Sequence, residues 1–207
     1  MNQSASTPDR LLDAGWKLFA RQGYDRTSVR AITRAARANL GAVTYHLGTK
    51  ERLYHAVLER LFREMGDRLA RATGGTAAPA DPGARIHAIV GAMFAFFREH
   101  PDAPRIVLQQ ITRGDSMPEA VATRLRANLA LIAGVVADGQ ARGVFRAAEP
   151  LFGAFSIISQ TVWFAVVRRT IPQVSEALGN PDLADRFEHH IAEIVTRGLA
   201  RHPESIP

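Results

Sequence analysis

Apolar residues recur every three or four positions along almost the whole chain. This spacing places apolar side chains on one face of a helix. Sustained alternation of apolar and polar residues is missing, and no hairpin-type turn signal lies between β-branched runs. The pattern therefore predicts an all-α protein.

The predicted helices are bounded by residues that favour helix ends. A first helix is predicted over about residues 8–22, with Thr7 as its N-cap and Gly23 at its end. Gly, Ala and Pro dominate a loop at 74–82, which marks a break in the helical pattern. The other long helices are predicted near 50–71, 83–99, 103–113, 118–142, 148–170 and 182–201.

Residues 27–53 predict two short helices that are joined by a tight turn and followed directly by the long helix near 50–71. Thr27, Asn39 and Thr49 are the expected N-caps of these three helices. Two short helices with such a turn form the unit that lays its second helix in the major groove of DNA. The segment therefore predicts a helix-turn-helix.

Positive charge is concentrated in the same part of the chain. Residues 1–53 contain nine Lys or Arg and four Asp or Glu, which gives +5 of the total formal charge of +6. A basic segment on a nearly neutral body is typical of a protein that binds phosphates. Charge alone also fits a solvated helix surface, so the capped short helices are needed to favour DNA binding.

The same segment resembles the TetR family of bacterial transcriptional regulators. The resemblance covers about the first quarter of the chain, through LLDAGWKLFARQGYDRTSV and AITRAARANLGAVTYHLGTKERLY, without a gap in spacing. Residues 39–51 are most similar to the branch that includes CecR/CerR-type regulators. Arg37 departs from the family pattern, which has Gly in the turn, and Leu47 stands where an aromatic residue is usual. A left-handed turn costs a residue other than glycine about 1 kcal/mol, so either Arg37 is strained or the turn is a different one.

Candidate DNA contacts lie on and beside the second short helix. Gly41 would let the backbone approach DNA closely, and Thr44 would reach a base edge. The family resemblance implies a phosphate contact for Tyr45, and for His46 either a packing role or a contact with the DNA backbone. Helix N-termini favour anions and add further candidates. The predicted set is Thr27, Ser28, Arg30, Asn39, Leu40, Gly41, Thr44, Tyr45, His46 and Lys50.

Large apolar residues cluster in the helices of the body, which by default predicts a hydrophobic core. The family resemblance implies in addition that the body encloses a pocket for a small-molecule effector. Gln109, Gln110 and Gln160 lie on otherwise apolar helices, and each is either a ligand contact or, more commonly, a surface or satisfied core residue. The predicted pocket residues are Met93, Phe94, Phe97, Leu108, Gln109, Ile111, Leu125, Leu129, Phe155, Gln160 and Trp163.

The last two helices predict a dimerisation surface. The helix near 148–170 is apolar almost all round, which indicates burial on more than one side. The helix near 182–201 carries an apolar stripe, and two such helices from each subunit would form a four-helix interface. The alternative is that both helices pack only within the subunit. The predicted interface residues are Phe152, Phe164, Phe187, Ile191, Ile194 and Leu199.

The sequence offers little to catalysis or to metal binding. The chain contains no Cys, which excludes disulfides and thiolate metal sites. His189 and His190 are a weak metal signal, because only one of them can face the same way as Asp185. No nucleophile elbow, phosphate-cradling glycine loop or His-Glu metal helix occurs. We therefore expect no enzyme activity, no cofactor and no metal.

The sequence also predicts a cytoplasmic protein without a membrane partner. The N-terminus lacks an apolar signal region, and the longest apolar run, 151–167, is shorter than a membrane span. We expect a DNA-binding domain at 1–50 and an effector-binding and dimerisation domain at 51–207. The expected function is that of a homodimeric repressor which an unknown effector releases from a palindromic double-stranded DNA operator. The alternatives are an effector-independent or activating regulator and a helical small-molecule carrier.

Overall fold

The chain folds as a series of α-helices, seen in a computed structural model that describes residues 6–39, 41, 45, 48–74, 78–171, 176 and 181–201. The helices are α1 Thr7–Arg26, α2 Val29–Ala35, α3 Lys50–Thr73, α4 Pro82–Glu99, α5 Ala103–Thr112, α6 Glu119–Ala141, α7 Pro150–Thr170 and α8 Pro181–Leu199. No strand occurs among the described residues, whose one extended pairing is a bridge between Phe145 and Ala200. The all-α prediction is confirmed.

Short polar side chains satisfy the free amides at several helix starts. The Asp81 carboxylate accepts from the N–H of Ala84 at 2.7 Å at the start of α4. Thr49 caps α3 as predicted, because its hydroxyl oxygen accepts from the N–H of Arg52 at 3.1 Å. The N-cap of α1 is Ser6, one residue before the predicted Thr7. The bounds of the long helices were therefore predictable from the sequence to within one or two residues, apart from the end of α1.

The cap role predicted for Thr27 is wrong. Ser28 is the N-cap of α2, and its hydroxyl oxygen accepts from the N–H of Ala31 at 3.1 Å. Thr27 is only 1% exposed, and its hydroxyl donates to the carbonyl oxygen of Gly23 at 2.7 Å. The contact of Thr27 with DNA stays a prediction, although its hydroxyl is covered and already bonded within the head. Thr27 and Ser28 have similar capping propensities, and tertiary packing decides between them.

Gly23 ends the regular part of α1, as predicted. Its φ of 80° and ψ of 169° interrupt the helix, and residues 24–26 continue as a separate helical turn. A positive φ is readily adopted by glycine because it has no Cβ. This break brings Tyr24 out of the line of α1, where its ring meets other aromatic and cationic side chains.

The chain divides into two compact units. One comprises Met1–Arg63 and Asp102–Arg124, and the other comprises Glu64–Pro101 and Leu125–Pro207. In the first unit α1 packs against both α2 and α5. Helix α5, which lies far from the head in sequence, therefore belongs to the same packing unit as the head. The predicted boundary between residues 50 and 51 differs from this division into packing units, and as a domain boundary it stays a prediction.

The second unit is built on the packing of α4, α7 and α8. The Phe164 ring stacks on Phe187 with centroids 4.3 Å apart and lies 5.2 Å from Phe94. Phe164, Ile191 and Leu199 are 6%, 5% and 7% exposed in the single chain. Their own unit therefore already covers these three residues within one chain, and their role in the subunit interface stays a prediction.

Helix α7 presents large aromatic side chains on its outer face. Phe152, Phe155 and Trp163 are 69%, 53% and 66% exposed. On α5, Ile111 is 61% exposed. These side chains are largely open to solvent within one chain, and the pocket role of Phe155, Trp163 and Ile111 stays a prediction.

Two helices have apolar windows of a length that would span a membrane. They are Glu119–Ala141 and Pro150–Arg168, identified by length and composition alone, and core helices of soluble proteins share this property. Only 33% of the second window is buried within the chain. The apolar character of α7 thus exceeds what its own unit covers.

Candidate nucleic-acid interface

The described part of the second short helix consists of Gly41 and Tyr45, which both have helical backbone and are exposed. Tyr45 is 84% exposed. Residues four apart lie on the same helix face, so the glycine leaves open space beside the tyrosine ring. Both residues face outward, as contact with DNA requires. Leu40, Thr44 and His46 lie outside the described residues, and their contacts stay predictions.

The N-terminus of α2 offers a second set of donors. Ser28 and Arg30 are exposed there, and the first amides of the helix favour an anion. Asn39, beyond the end of α2, is exposed as well. These positions are accessible to a phosphate, and their contacts with DNA remain predictions.

Lys50 at the start of α3 is held by two contacts within the first unit. Its ammonium group donates to the carbonyl oxygen of Asp25 at 3.3 Å. The same group lies 4.2 Å from the centroid of the Tyr24 ring, a cation–π contact. Lys50 stays a predicted phosphate contact, and the break at Gly23 is what places its two partners.

The turn after α2 is left-handed at Arg37, which has a φ of 51°. The N–H of Ala38 donates to the carbonyl oxygen of Thr33 at 2.9 Å, which is the Schellman pattern of a helix end. Glycine is the usual residue at the left-handed position, so the arginine costs about 1 kcal/mol. Of the two alternatives raised by the sequence, a strained Arg37 or a different turn, the strained Arg37 is therefore the one observed.

Arg10 of α1 holds this turn in place. Its Nε donates to the carbonyl oxygen of Ala36 at 3.2 Å, and its guanidinium also donates to the Thr7 hydroxyl at 3.0 Å. Neither Arg10 nor Arg37 is among the site residues predicted from the sequence. The unusual residue at the turn was the available signal for Arg37, while only the fold brings Arg10 next to it.

A cluster of rings and cations connects α5 to the head within the first unit. The Arg113 guanidinium lies 4.1 Å from the Tyr24 ring centroid and 5.7 Å from that of Tyr54. The two tyrosine rings are 5.0 Å apart. Burial raises the pKa of both phenols above the usual value, and the charge of Arg113 opposes this shift. No local signal in the sequence indicates this cluster, because Arg113 is remote from both tyrosines along the chain.

The remaining residues of the predicted pocket are buried to different degrees. Met93 and Phe94 are buried, whereas Phe97, Leu108, Leu125 and Leu129 are half-buried. The space among Phe94, Phe97 and Phe164 is about 10 Å³, enough for roughly one water molecule. This part of the second unit is packed as core, which is the default interpretation of an aromatic stripe.

Gln109 and Gln160 differ in the hydrogen bonding of their side chains. The Gln160 amide donates to the carbonyl oxygen of Ser156 at 3.2 Å on its own helix. The Gln109 side-chain oxygen is buried, and no described residue donates to it. A buried acceptor without a donor is costly, so Gln109 is the better candidate for contact with a ligand.

Comparisons with known proteins agree with this geometry. A model described as bacterial regulatory proteins, tetR family, matches residues 11–57, and one described as tetracyclin repressor-like, C-terminal domain, matches residues 82–195. The HTH-type transcriptional repressor NicS of Pseudomonas putida is 24% identical over 212 residues, covering 96% of this chain and 95% of that protein.

Solved structures share the fold over nearly the whole chain. The TetR family transcriptional regulator PfmR from Thermus thermophilus is 22% identical, with a TM-score of 0.75 and coverage of 96% of this chain and 100% of that one. The ketosteroid transcriptional regulator KstR2 of Mycobacterium tuberculosis is also 22% identical, with a TM-score of 0.72 and coverage of 97% and 98%.

The similarities do not single out the CecR/CerR-type branch, which stays a prediction. They do reach beyond the DNA-binding head, since the second family model alone spans more than half of the 207 residues. Helix-turn-helix, basic head and helical body occur together along one chain. The protein therefore belongs to the TetR family of bacterial transcriptional regulators.

Proposed function

We propose that this regulator is a cytoplasmic, homodimeric repressor that leaves its DNA operator when a small molecule binds. Its relative NicS is named a transcriptional repressor, and the fold is shared with other regulators of transcription. A ligand can release DNA only if it binds more tightly to the state of the protein that does not bind DNA than to the state that does. The proposal therefore needs a structural connection between a ligand-contacting element and the head.

The contact of Arg113 with Tyr24 supplies such a connection. Gln109, with its unpartnered acceptor, and Arg113 lie on and just after α5. Arg113 stacks on Tyr24, and Tyr24 in turn contacts Lys50, a candidate phosphate ligand. A ligand that shifts α5 would move Arg113 and so change how Lys50 is held. This chain of contacts is the observation that carries the proposal.

The outer face of α7 supports the homodimer. Phe152, Phe155 and Trp163 form an exposed aromatic surface, and Ile194 on α8 is 48% exposed. Large exposed apolar surfaces on soluble proteins mark interaction sites. A second copy of the chain is the proposed occupant, because two heads are needed to bind the two halves of a palindromic operator.

Genomic DNA selection followed by a release screen tests the proposal. Fragments retained by the wild-type protein identify the operator, and a collection of small molecules is then screened for release of that operator. Deletion of the regulator should raise transcription from the bound promoter. With the compound found, Arg113→Ala should bind the operator but need at least about tenfold more compound for release, within the usual range of allosteric coupling.

Arg105→Ala is the matched control, because Arg105 is exposed on the same helix and the charge change is equal. It should be released as easily as the wild type. Equal responses of the two variants would contradict coupling through Arg113. If no compound releases the operator, an effector-independent regulator is favoured. If deletion lowers transcription, an activator is favoured. If the protein retains no DNA fragment, a small-molecule carrier is favoured.

A further inference from the structure

We infer that Arg37 and the cleft beside it, which Gly41 and Tyr45 of the second short helix also line, form a further phosphate-binding site of the head, distinct from the N-terminus of α2. The inference rests on DNA binding by the head and adds Arg37, which is not among the contacts predicted from the sequence. Its ligand is a phosphate of the DNA backbone next to the one at Tyr45.

The cleft has the chemistry of an anion site. It is open, has a volume of about 550 Å³, and is lined by Arg10, Arg37, Asn39, Gly41 and Tyr45 together with two small neighbours. The described lining residues include two guanidinium groups and further donors but no carboxylate. Arginine, asparagine and tyrosine are among the side chains that bind DNA phosphates.

The two arginines have different tasks. Arg10 is a positioning residue, because its guanidinium is already bonded to the Ala36 carbonyl oxygen and the Thr7 hydroxyl. Arg37 is exposed, and no described residue forms an ion pair with it. By fixing the carbonyl immediately before the turn, Arg10 keeps the left-handed conformation that presents Arg37 to the cleft. The guanidinium that can receive a phosphate is therefore the one on the strained residue.

The strain itself argues for a role of the side chain. Glycine would adopt a φ of 51° without a Cβ penalty, and the turn has no packing that requires a long side chain, since Arg37 is exposed. Strained residues persist where their surroundings fix them, and they concentrate at functional sites. Here the surroundings are the Arg10 contact and the Schellman hydrogen bond. A phosphate contact explains why a cation occupies this position.

The test compares Arg37→Gly, Arg37→Asn and Arg37→Lys on a mixed-sequence DNA duplex of about three helical turns. Affinity is measured as a function of potassium chloride concentration, and thermal unfolding is measured alongside. The Gly and Asn variants should bind all sequences more weakly, with a plot of log K against log salt that is flatter by about 0.9 per subunit. Both tolerate the left-handed turn, so their Tm should equal or exceed the wild-type value, by up to about 2–4 °C for Gly. The Lys variant should keep the wild-type slope.

Arg63→Gln is the control for net charge. Arg63 is exposed on α3 and does not line the cleft, so its removal should leave the salt slope unchanged. A stabilised Arg37→Gly variant with the wild-type slope would overturn the inference and leave DNA binding by the head intact. Equal flattening by Arg63→Gln would also overturn it, because the effect would then come from overall charge. If the DNA affinity of the wild-type protein did not depend on salt concentration, phosphate binding by the whole head would be overturned.

Discussion

Helices α7 and α8 are both rich in apolar residues, yet α8 buries most of them within its own unit whereas α7 leaves several large ones exposed. On α8, Ile191, Val195 and Leu199 are buried and charged residues face solvent. On α7, both faces are apolar, and Phe152 and Trp163 remain exposed. The amphipathic helix completes its own subunit, whereas the helix that is apolar all round has a second face left for another surface. The partner of the chain is therefore expected mainly at α7.

The strongest way to break this comparison is a charge in the buried face of α8. Ile191→Asp should lower the free energy of unfolding by about 5 kcal/mol, because a carboxylate would be buried without a partner. That loss is comparable to the total stability of many domains. Chemical denaturation followed by circular dichroism measures it.

Ile194→Asp is the matched control, with the same change on the same helix at a residue that is 48% exposed. It should remain folded, with a much smaller loss of unfolding free energy than Ile191→Asp. If Ile191→Asp were instead a stable, folded monomer, the stripe on α8 would belong to the subunit interface, as the sequence analysis predicts.

A charge on the outer face of α7 should separate the subunits without unfolding them. Burial of a large apolar side chain is worth about 1.5–3 kcal/mol, and a two-fold interface counts it twice. Trp163→Glu should therefore cost the dimer at least about 3 kcal/mol, more than a hundredfold in its dissociation constant. Specific operator affinity should fall with it, since two half-sites need two heads. Analytical ultracentrifugation measures the association.

Ile111→Glu provides the comparison for that experiment, because Ile111 is 61% exposed on α5 in the other packing unit. It should sediment like the wild type. A Trp163→Glu protein that keeps the wild-type dimer would move the interface away from α7.

The smallest expected effect concerns the residue that connects the two helices. Phe187 on α8 is half-buried and stacks on Phe164 of α7 at 4.3 Å between centroids. Phe187→Ala should lower the free energy of unfolding by about 2 kcal/mol, through lost burial and lost ring contact. Dimer dissociation should change little. Denaturation at several protein concentrations separates the two, and a large change in dissociation alone would place Phe187 in the interface.

Local signals were sufficient for most of the fold. Helical periodicity indicated the long helices to within one or two residues, and Gly23 correctly marked the end of regular α1. The N-caps of α1 and α2 were each misplaced by one residue, where Ser and Thr stand side by side. Propensity does not separate two adjacent hydroxyl residues, because the choice depends on which one packs against the rest of the unit.

The candidate site was predictable where one residue carries its own signal. Arg37 departs from an expected glycine, which left a strained and an unstrained turn as alternatives, and the structure shows the left-handed backbone. The contacts of Arg10 with the turn and of Arg113 with Tyr24 had no such signal. Each joins residues far apart in the chain, and only packing brings them together.

The sequence by itself determined the helices, the helix-turn-helix, the basic head and the family. These depend on periodicity, capping and charge, which act over a few residues or add along the chain. Tertiary structure decided which apolar faces are covered, which hydroxyl caps a helix and which cations already have partners. Phe155 and Ile191 are both large apolar helix residues in the sequence, yet one is 53% exposed and the other 5%. The physical reason is that burial depends on what lies opposite a side chain, and that neighbour comes from a distant part of the chain.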